Sequence, residues 1–443
     1  MNRLLVCFLI FGLLVQLPDI TLLEATAVAL SVYVFLTFIH LIGERIALLE
    51  CIQAIAALEI LLVPAITYWV FPASMPIEST PYFSYALPAY SAFYLGIHLF
   101  ANSHSYRSHK SYVDAARQYL HHKQSVGIVL FFIGLSGFLT KFFVPNVPAI
   151  LGTLPSYCLF ISVFYVYYSR NTYRFLIIGL VAVVLLTYTV RAGMFGDLFF
   201  WLMLTTLFGA ASVPAWLSTR VKSVFVMLAF LFLLLIQSVK GEYRFNTWGY
   251  HRGERNGNAA LLGDLVADRL TNPEKLFNID HLFLSFVRFN QGIMIGSAMA
   301  KVPMHEPFAK GEVLLSFLYP FVPRLIWESK PQTGGYENIH RFTTLPQSEN
   351  TSINLSPLGE GYVNFGYGGI LFALVYGLLL GSVFKYVLYL SSCTPTIIFW
   401  LPMLYIGCLT METDILSTWG SLTNNAIFIA LLFWLFRRAG SHL

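Results

Sequence analysis

Twelve apolar runs, almost free of charge, constrain this chain more than any other feature: about 2–17, 20–43, 46–71, 82–102, 125–143, 149–168, 175–190, 194–213, 222–238, 367–390, 395–410 and 423–437. A helix needs about 20 mainly apolar residues to cross a bilayer, so several of these runs are short for the task. Open backbone in lipid leaves N–H and C=O groups unpaired, which makes helices the expected form. A transmembrane barrel needs alternating strands of about ten residues, whereas these runs are continuous. Only 11% of the residues are charged, against about 25% in soluble domains. The expectation is an all-α polytopic membrane protein, a single integral membrane domain over 1–443 with about twelve spans.

Lysine and arginine set the expected orientation. With the N-terminus inside, the inside loops hold Arg3, Arg45, Arg107, Lys110, Arg117, Lys123, Arg170, Arg174, Arg220, Lys222, Lys385, Arg437 and Arg438, while the short outside loops hold Lys141 and Arg191. That asymmetry is the positive-inside pattern. It puts both termini inside and one long loop, 239–366, outside between the ninth and tenth spans. The N-terminal run has the basic start of a signal peptide but no small-residue cleavage site, so it is read as the first span. The basic loop 103–124, with His104, His109, His121 and His122, matches no metal-ligand spacing and reads as a surface facing an anionic leaflet. The formal charge of +5 is scattered over short loops, which argues against nucleic acid as a partner. Cys7, Cys51, Cys158, Cys393 and Cys408 show no metal-like pairing, and all read as small core hydrophobes. No internal repeat is evident.

The outside region opens on KGEYRFNTWGYHRGERNGNAA, polar and expected to be irregular. From Ala259 to Leu270, Leu261, Leu262, Leu265, Val266 and Leu270 recur at helical spacing opposite Asp264, Asp268 and Arg269, as in an amphipathic helix lying on the membrane surface. Residues 281–302 are apolar enough to dip into the interface but carry Arg288, Asn290 and Gln291.

Groups suited to chemistry gather between Gly311 and Gly369. Arg324 and Lys330 stand in FVPRLIWESKP, braced by prolines around Trp327. Arginine binds phosphate bidentately and keeps its charge when partly buried; the bland reading is a pair of interfacial anchors. Arg191, in TVRAGMFGD, either snorkels, pairs with Asp197 or meets an anion. Arg244 and Arg288 belong to the same outside face. Glu360, in GEGYVNFG just before an apolar run, suits either a helix cap or a general base of raised pKa. His340 is a second candidate base, or simply a loop histidine. Glu412 and Asp414 have a spacing found in some divalent-metal sites, which is weak as evidence for one.

The layout resembles the Wzy-type polymerases of bacterial polysaccharide export. TVRAGMFGD, FVPRLIWESKP and SPLGEGYVNFGYGG carry the resemblance, over about 185–415. It implies a membrane glycosyltransferase of the bacterial inner membrane that joins oligosaccharide repeat units built on undecaprenyl diphosphate, at the outer face. A flippase and a chain-length regulator are the partners such a pathway implies, and membrane lipids surround the chain. Under that resemblance, Arg191, Arg288, Arg324 and Lys330 meet the diphosphate. Glu360, with His340 second, takes the proton of the acceptor hydroxyl. Trp327, Tyr336 and Tyr362 are sugar platforms, with Asn364 beside them, and neither metal nor cofactor is expected. The related glycan ligases are the nearest alternative. A twelve-helix secondary transporter or flippase is a further one, though such proteins usually have two similar halves and these halves are unlike.

Overall fold

The computed structural model describes residues 3–101, 109–121, 123–144, 147–212, 218–248, 257–277, 287–322, 335–345 and 353–440, together with Phe283, Trp327 and Leu443. Among the described residues the chain is helical, with no strand. All twelve apolar runs fall on helical segments. Among the described residues, eight helices are long and apolar enough to cross a membrane: Leu22–Leu41, Leu48–Val70, Gln124–Lys141, Ile150–Tyr168, Arg174–Ala192, Thr219–Trp248, Ser356–Ser391 and Ile415–Arg438. Three other runs give shorter apolar helices, Arg3–Leu14, Gly196–Ser212 and Pro395–Cys408. The run expected at 82–102 forms Ser79–Ala101, a helix rich in tyrosine with Pro88 inside it.

In chain order, the first helices are α1 (Arg3–Leu14), α2 (Leu22–Leu41), α3 (Leu48–Ala57), α4 (Val63–Val70), α5 (Ser79–Ala101) and α6 (His109–Leu120). They are followed by α7 (Gln124–Phe143), α8 (Ala149–Ser156), α9 (Cys158–Tyr168), α10 (Arg174–Ala192), α11 (Gly196–Ser212), α12 (Thr219–Trp248) and α13 (Ala259–Thr271). The last are α14 (Gln291–Lys301), α15 (Tyr336–Phe342), α16 (Ser356–Phe365), α17 (Gly369–Ser391), α18 (Leu401–Tyr405) and α19 (Ile415–Arg438).

Among the described residues the most extensive helix–helix packing is between α5 and α17. A Cβ at Gly96 or Gly377 would overlap the facing backbone, at Leu374 and Phe93 respectively. Lipid gives little hydrophobic drive for helix association, so small residues that admit close backbone approach must supply the packing. One face of α5 also ties three neighbours together: Tyr82 donates to the Ile60 carbonyl at 2.7 Å, Tyr85 to that of Leu358 at 2.7 Å and Tyr90 to that of Gln53 at 2.9 Å.

The Ile60 bond follows from a break in the helix. Pro64 has no N–H to give the carbonyl four residues back, and its ring crowds that carbonyl. The chain accordingly widens into a π turn over Leu58–Leu62, between α3 and α4, and Tyr82 satisfies the Ile60 oxygen instead. Glu59 lies in this turn.

Two expectations for the long loop change. KGEYRFNTW is helical, because α12 runs on to Trp248. The extension persists because α13 packs along it, joining Phe195, Val239, Tyr243 and Leu265 in one apolar cluster. Arg269 is not on a solvated face: it is buried and pairs with Glu242 of α12 at 2.8 Å. The α13 helix does begin at Ala259 as expected, and Asn258 caps it by accepting from the Leu261 N–H at 3.1 Å. The segment 291–301 forms α14, which packs against the π turn, α4, α5, α15 and α16. All five cysteines are free thiols; four are buried and Cys393 is exposed.

Candidate functional site

The end of the bundle that carries residues 287–322 and 335–345, termed the loop end, gathers polar side chains around the stretch METD at 411–414. The chain leaves the turn Ile406–Cys408 and enters α19 at Ile415. Two buried carboxylates from different helices grip this connection. Glu59 accepts the Met411 N–H at 2.7 Å, and Glu360 accepts the Ile415 N–H at 2.7 Å. Asp414 is the N-cap of α19, accepting from the Ser417 N–H at 2.6 Å. Helix N-termini leave N–H groups unpaired and carry partial positive charge, so both Asp414 and Glu360 are favourably placed.

Glu360 is therefore inside a helix, α16, and not just before one. Pro357 starts that helix early and Gly366, at φ 58°, ends it. The carboxylate caps α19, which is distant in sequence, rather than the apolar run that follows it. Its second oxygen accepts from Asn338 of α15 at 3.2 Å. Buried to 1% exposure with both oxygens engaged, Glu360 holds three elements together.

Glu412 lies beside it and is reached by solvent. Arg288 donates to it at 2.7 Å, with side-chain exposures of 50% for Arg288 and 21% for Glu412. Burial holds the Glu412 carboxyl above the ordinary carboxylate range, while Arg288 and then Lys240 pull the other way. Lys240, half-buried on the extended part of α12, is within electrostatic reach of Arg244, Arg288 and Glu412. Arg244 donates to the Gly193 carbonyl at 2.8 Å and lies over the Trp248 ring at 4.5 Å. Gly193 is two residues from Arg191, so a row of cations from α10, α12 and the segment before α14 lines this end. Next to the row, Asn354 donates to the Glu412 carbonyl at 3.1 Å. The Oδ1 of Asn354 and the Oε1 of Gln291 are buried without a hydrogen-bond partner among the described residues.

The residues expected from sequence separate in this setting. Arg288 is in the site, and exposed Arg191 is at the C-terminus of α10 on its edge. Asp197 takes Tyr188 and Lys141 as neighbours. Arg324 and Lys330 lie outside the described residues. Trp327 meets Tyr319 edge-on at 4.9 Å, and His340 stacks on Tyr336 at 5.8 Å on α15, whose Asn338 reaches Glu360. Tyr362 is buried among Tyr85 and Phe308, its ring edge-on to both. Asn364 donates to the Glu360 carbonyl at 2.7 Å and accepts the Gly311 N–H at 2.9 Å, which pins the segment 309–311 to α16. Both thus have packing or backbone tasks that a sugar platform would not need. Glu412 and Asp414 face different partners, Arg288 and the α19 N-terminus, rather than a common point.

Sequence reasoning missed Glu59, Lys240 and Asn338. A signal for Glu59 was present: a lone carboxylate in mid-span, five residues before a proline, marks an interior ionisable group and a broken helix. Asn338 gave no such sign, since its partner is fixed by the tertiary fold.

Among the described residues, fold and site together define a helical protein with eight helices fit to cross a membrane and a charged cluster at one end of the bundle. Residues 84–387 match a family described as a domain of unknown function, DUF8712, and the chain belongs to that family. No curated protein and no solved structure matches it.

Proposed function

We propose that this protein is a glycosyltransferase of the bacterial inner membrane that polymerises oligosaccharide repeat units carried on undecaprenyl diphosphate. In this reading about twelve segments traverse the membrane, both termini are inside, and the loop end with 239–366 faces outward. The observation that carries it is the Arg288–Glu412 pair beside Lys240: a solvent-reachable carboxylate set among cations, at the mouth of a helical bundle. The donor's anomeric C–O bond to the diphosphate breaks, and negative charge develops on the departing diphosphate. Arg288 and Lys240 are placed to stabilise that charge, with Arg191 and Arg244 at the edge; fixed cations in a partly dry site are effective at this. The acceptor hydroxyl forms the new bond to the anomeric carbon, and its proton goes to Glu412. That role moves from Glu360, whose oxygens are occupied by Ile415 and Asn338. His340, exposed on α15, remains the second candidate base.

A gel of cell-envelope polysaccharide from a deletion strain, complemented with wild type or Arg288→Ala, tests this reading. Collapse of the ladder to single repeat units in the deletion and in the variant is expected. Long chains retained on the carrier lipid would indicate a ligase. An unchanged ladder would overturn both and favour a transporter or flippase. One observation supports that last alternative: Glu59, an ionisable group in the π turn of a span, has the setting of an ion-coupling site.

A further inference from the structure

A cavity of about 1120 Å³ opens between the α1–α2 turn, the end of α4 and the segment 72–80. Its size matches the largest ordinary small-molecule sites, which run to about 1,000 Å³. Its lining is chemically one-sided. It includes three carboxylates, Asp19, Glu24 and Glu78, with Tyr68 and Trp69, and no lysine, arginine or histidine among the described residues.

The walls are fixed before any ligand arrives. Glu24 is 3% exposed and closes a capping box with Thr21 at the start of α2. The same carboxylate accepts from the Trp69 indole N–H at 3.2 Å, which sets the plane of that ring. Tyr68 is held by donating to the Ile77 carbonyl at 3.0 Å. Pro18, Pro72 and Pro76 stiffen the rim. At the inner wall, Met75 accepts from the Asn290 Nδ2 at 3.4 Å, and the Oδ1 of Asn290 is buried with no partner among the described residues. Asn290 is two residues from Arg288, so the cavity borders the cation row without sharing its charge.

We propose that this cavity is a binding subsite for a non-acidic oligosaccharide, preferring units that bear amines. The inference rests on the glycosyltransferase reading and deepens it. Carboxylates accept from sugar hydroxyls and ammonium groups, and a fixed indole offers a face to the apolar side of a pyranose ring and to cations. A diphosphate or a uronic acid meets three like charges here and no cation among the described residues. The molecule thus separates its two recognition tasks: the diphosphate is held at Arg288 and Lys240, and the saccharide is held in the acidic, aromatic cavity.

The test uses the full chain in phosphatidylcholine nanodiscs and titrates chitosan trisaccharide, maltotriose and trigalacturonate by calorimetry. Chitosan trisaccharide should bind most tightly, maltotriose more weakly, and trigalacturonate at least ten-fold more weakly than the first. Glu78 is exposed, so Glu78→Arg should fold and remove most of that discrimination, while Arg288→Ala should leave it intact. Absence of saturable binding, equal binding of the uronate, or an unaltered preference in Glu78→Arg would overturn the proposal. So would equal competition by phosphoethanolamine, which would assign the cavity to a lipid headgroup. The two readings fail separately. Saccharide binding with a normal polymer ladder in Arg288→Ala cells leaves the cavity and removes the polymerase. A collapsed ladder with no saccharide binding does the reverse.

Discussion

The two ends of the bundle satisfy their buried carboxylates in different ways. At the end away from the loop, acids and bases neutralise each other. Arg45 pairs with buried Glu50. Lys222, 5% exposed, donates to the His40 carbonyl at 3.1 Å and lies 3.6 Å from Glu44. At the loop end the buried carboxylates Glu59 and Glu360 are satisfied by backbone N–H groups of the Met411–Ile415 connection. Arg288 and Lys240 are therefore left facing the space around Glu412. The first arrangement joins helices and offers little to a ligand. The second leaves positive charge at the mouth of the bundle, where an anion can meet it.

The sharpest way to break this comparison is to remove a cation from each end. Arg288→Ala should lower polymer formation by about 10²–10³-fold, the usual cost of losing a charge-stabilising donor. Its effect on melting temperature should be slight, because an exposed ion pair contributes about 0–1 kcal/mol. Radiolabelled repeat-unit turnover and thermal unfolding in detergent, run together, measure both. Equal loss of stability and activity would mean that the two ends do not differ in kind.

Glu360→Ala should have the next largest effect. It orphans the Ile415 N–H and the Asn338 amide, with a cost of about 3 kcal/mol from unpaired buried donors. Glu360→Gln keeps an acceptor and should lose clearly less. If Glu360→Gln unfolds as readily as the alanine variant, the capping role assigned to this carboxylate is wrong.

Arg45→Met leaves Glu50 buried and uncompensated. It should destabilise by about 2 kcal/mol, since the partial exposure of Arg45 screens the pair. The polysaccharide ladder should be normal wherever the protein accumulates, and quantified immunoblots beside the gel check this.

The smallest effect is a difference in pH response. Burial, and then the charge of Arg45, lower His109 from 6.5 to about 4, and its Nδ1 accepts the Ile46 N–H at 3.3 Å. The unfolded chain takes up this proton first, so the stability that neutral His109 contributes is lost as pH falls from 6.5 through about 4. Glu412 has the opposite sign. Its raised pKa gives stability that is full below 4.5 and is lost as pH rises through the folded value. The protection of the Ile46 amide against hydrogen exchange, taken relative to its intrinsic rate at each pH, should therefore fall on acidification and become independent of pH over this range in His109→Gln. Glu412→Gln should remove the opposing slope from thermal unfolding.

The helical character of the chain could be read from its sequence because it follows from local composition. Lipid leaves a long apolar run one way to satisfy its backbone, and each of the twelve runs is helical. The start of α13 at Ala259 was similarly available from local pattern. Arg269 was not: its charge suggested solvent, and only packing against α12 gave it Glu242 and a buried place. The candidate site was legible in residue types more than in roles. Arg288 was found through its unusual position in an apolar stretch, and Glu360 through its neighbourhood of glycines and aromatics. Which carboxylate caps a helix and which meets solvent depends on residues far apart in the chain, such as Glu360 with Ile415 and Glu59 with Met411. Sequence by itself determined that apolar helices form, because that choice is made within one segment. The tertiary structure decided where charge remains open to a ligand, because a buried carboxylate takes whichever N–H group the packing of distant helices brings to it.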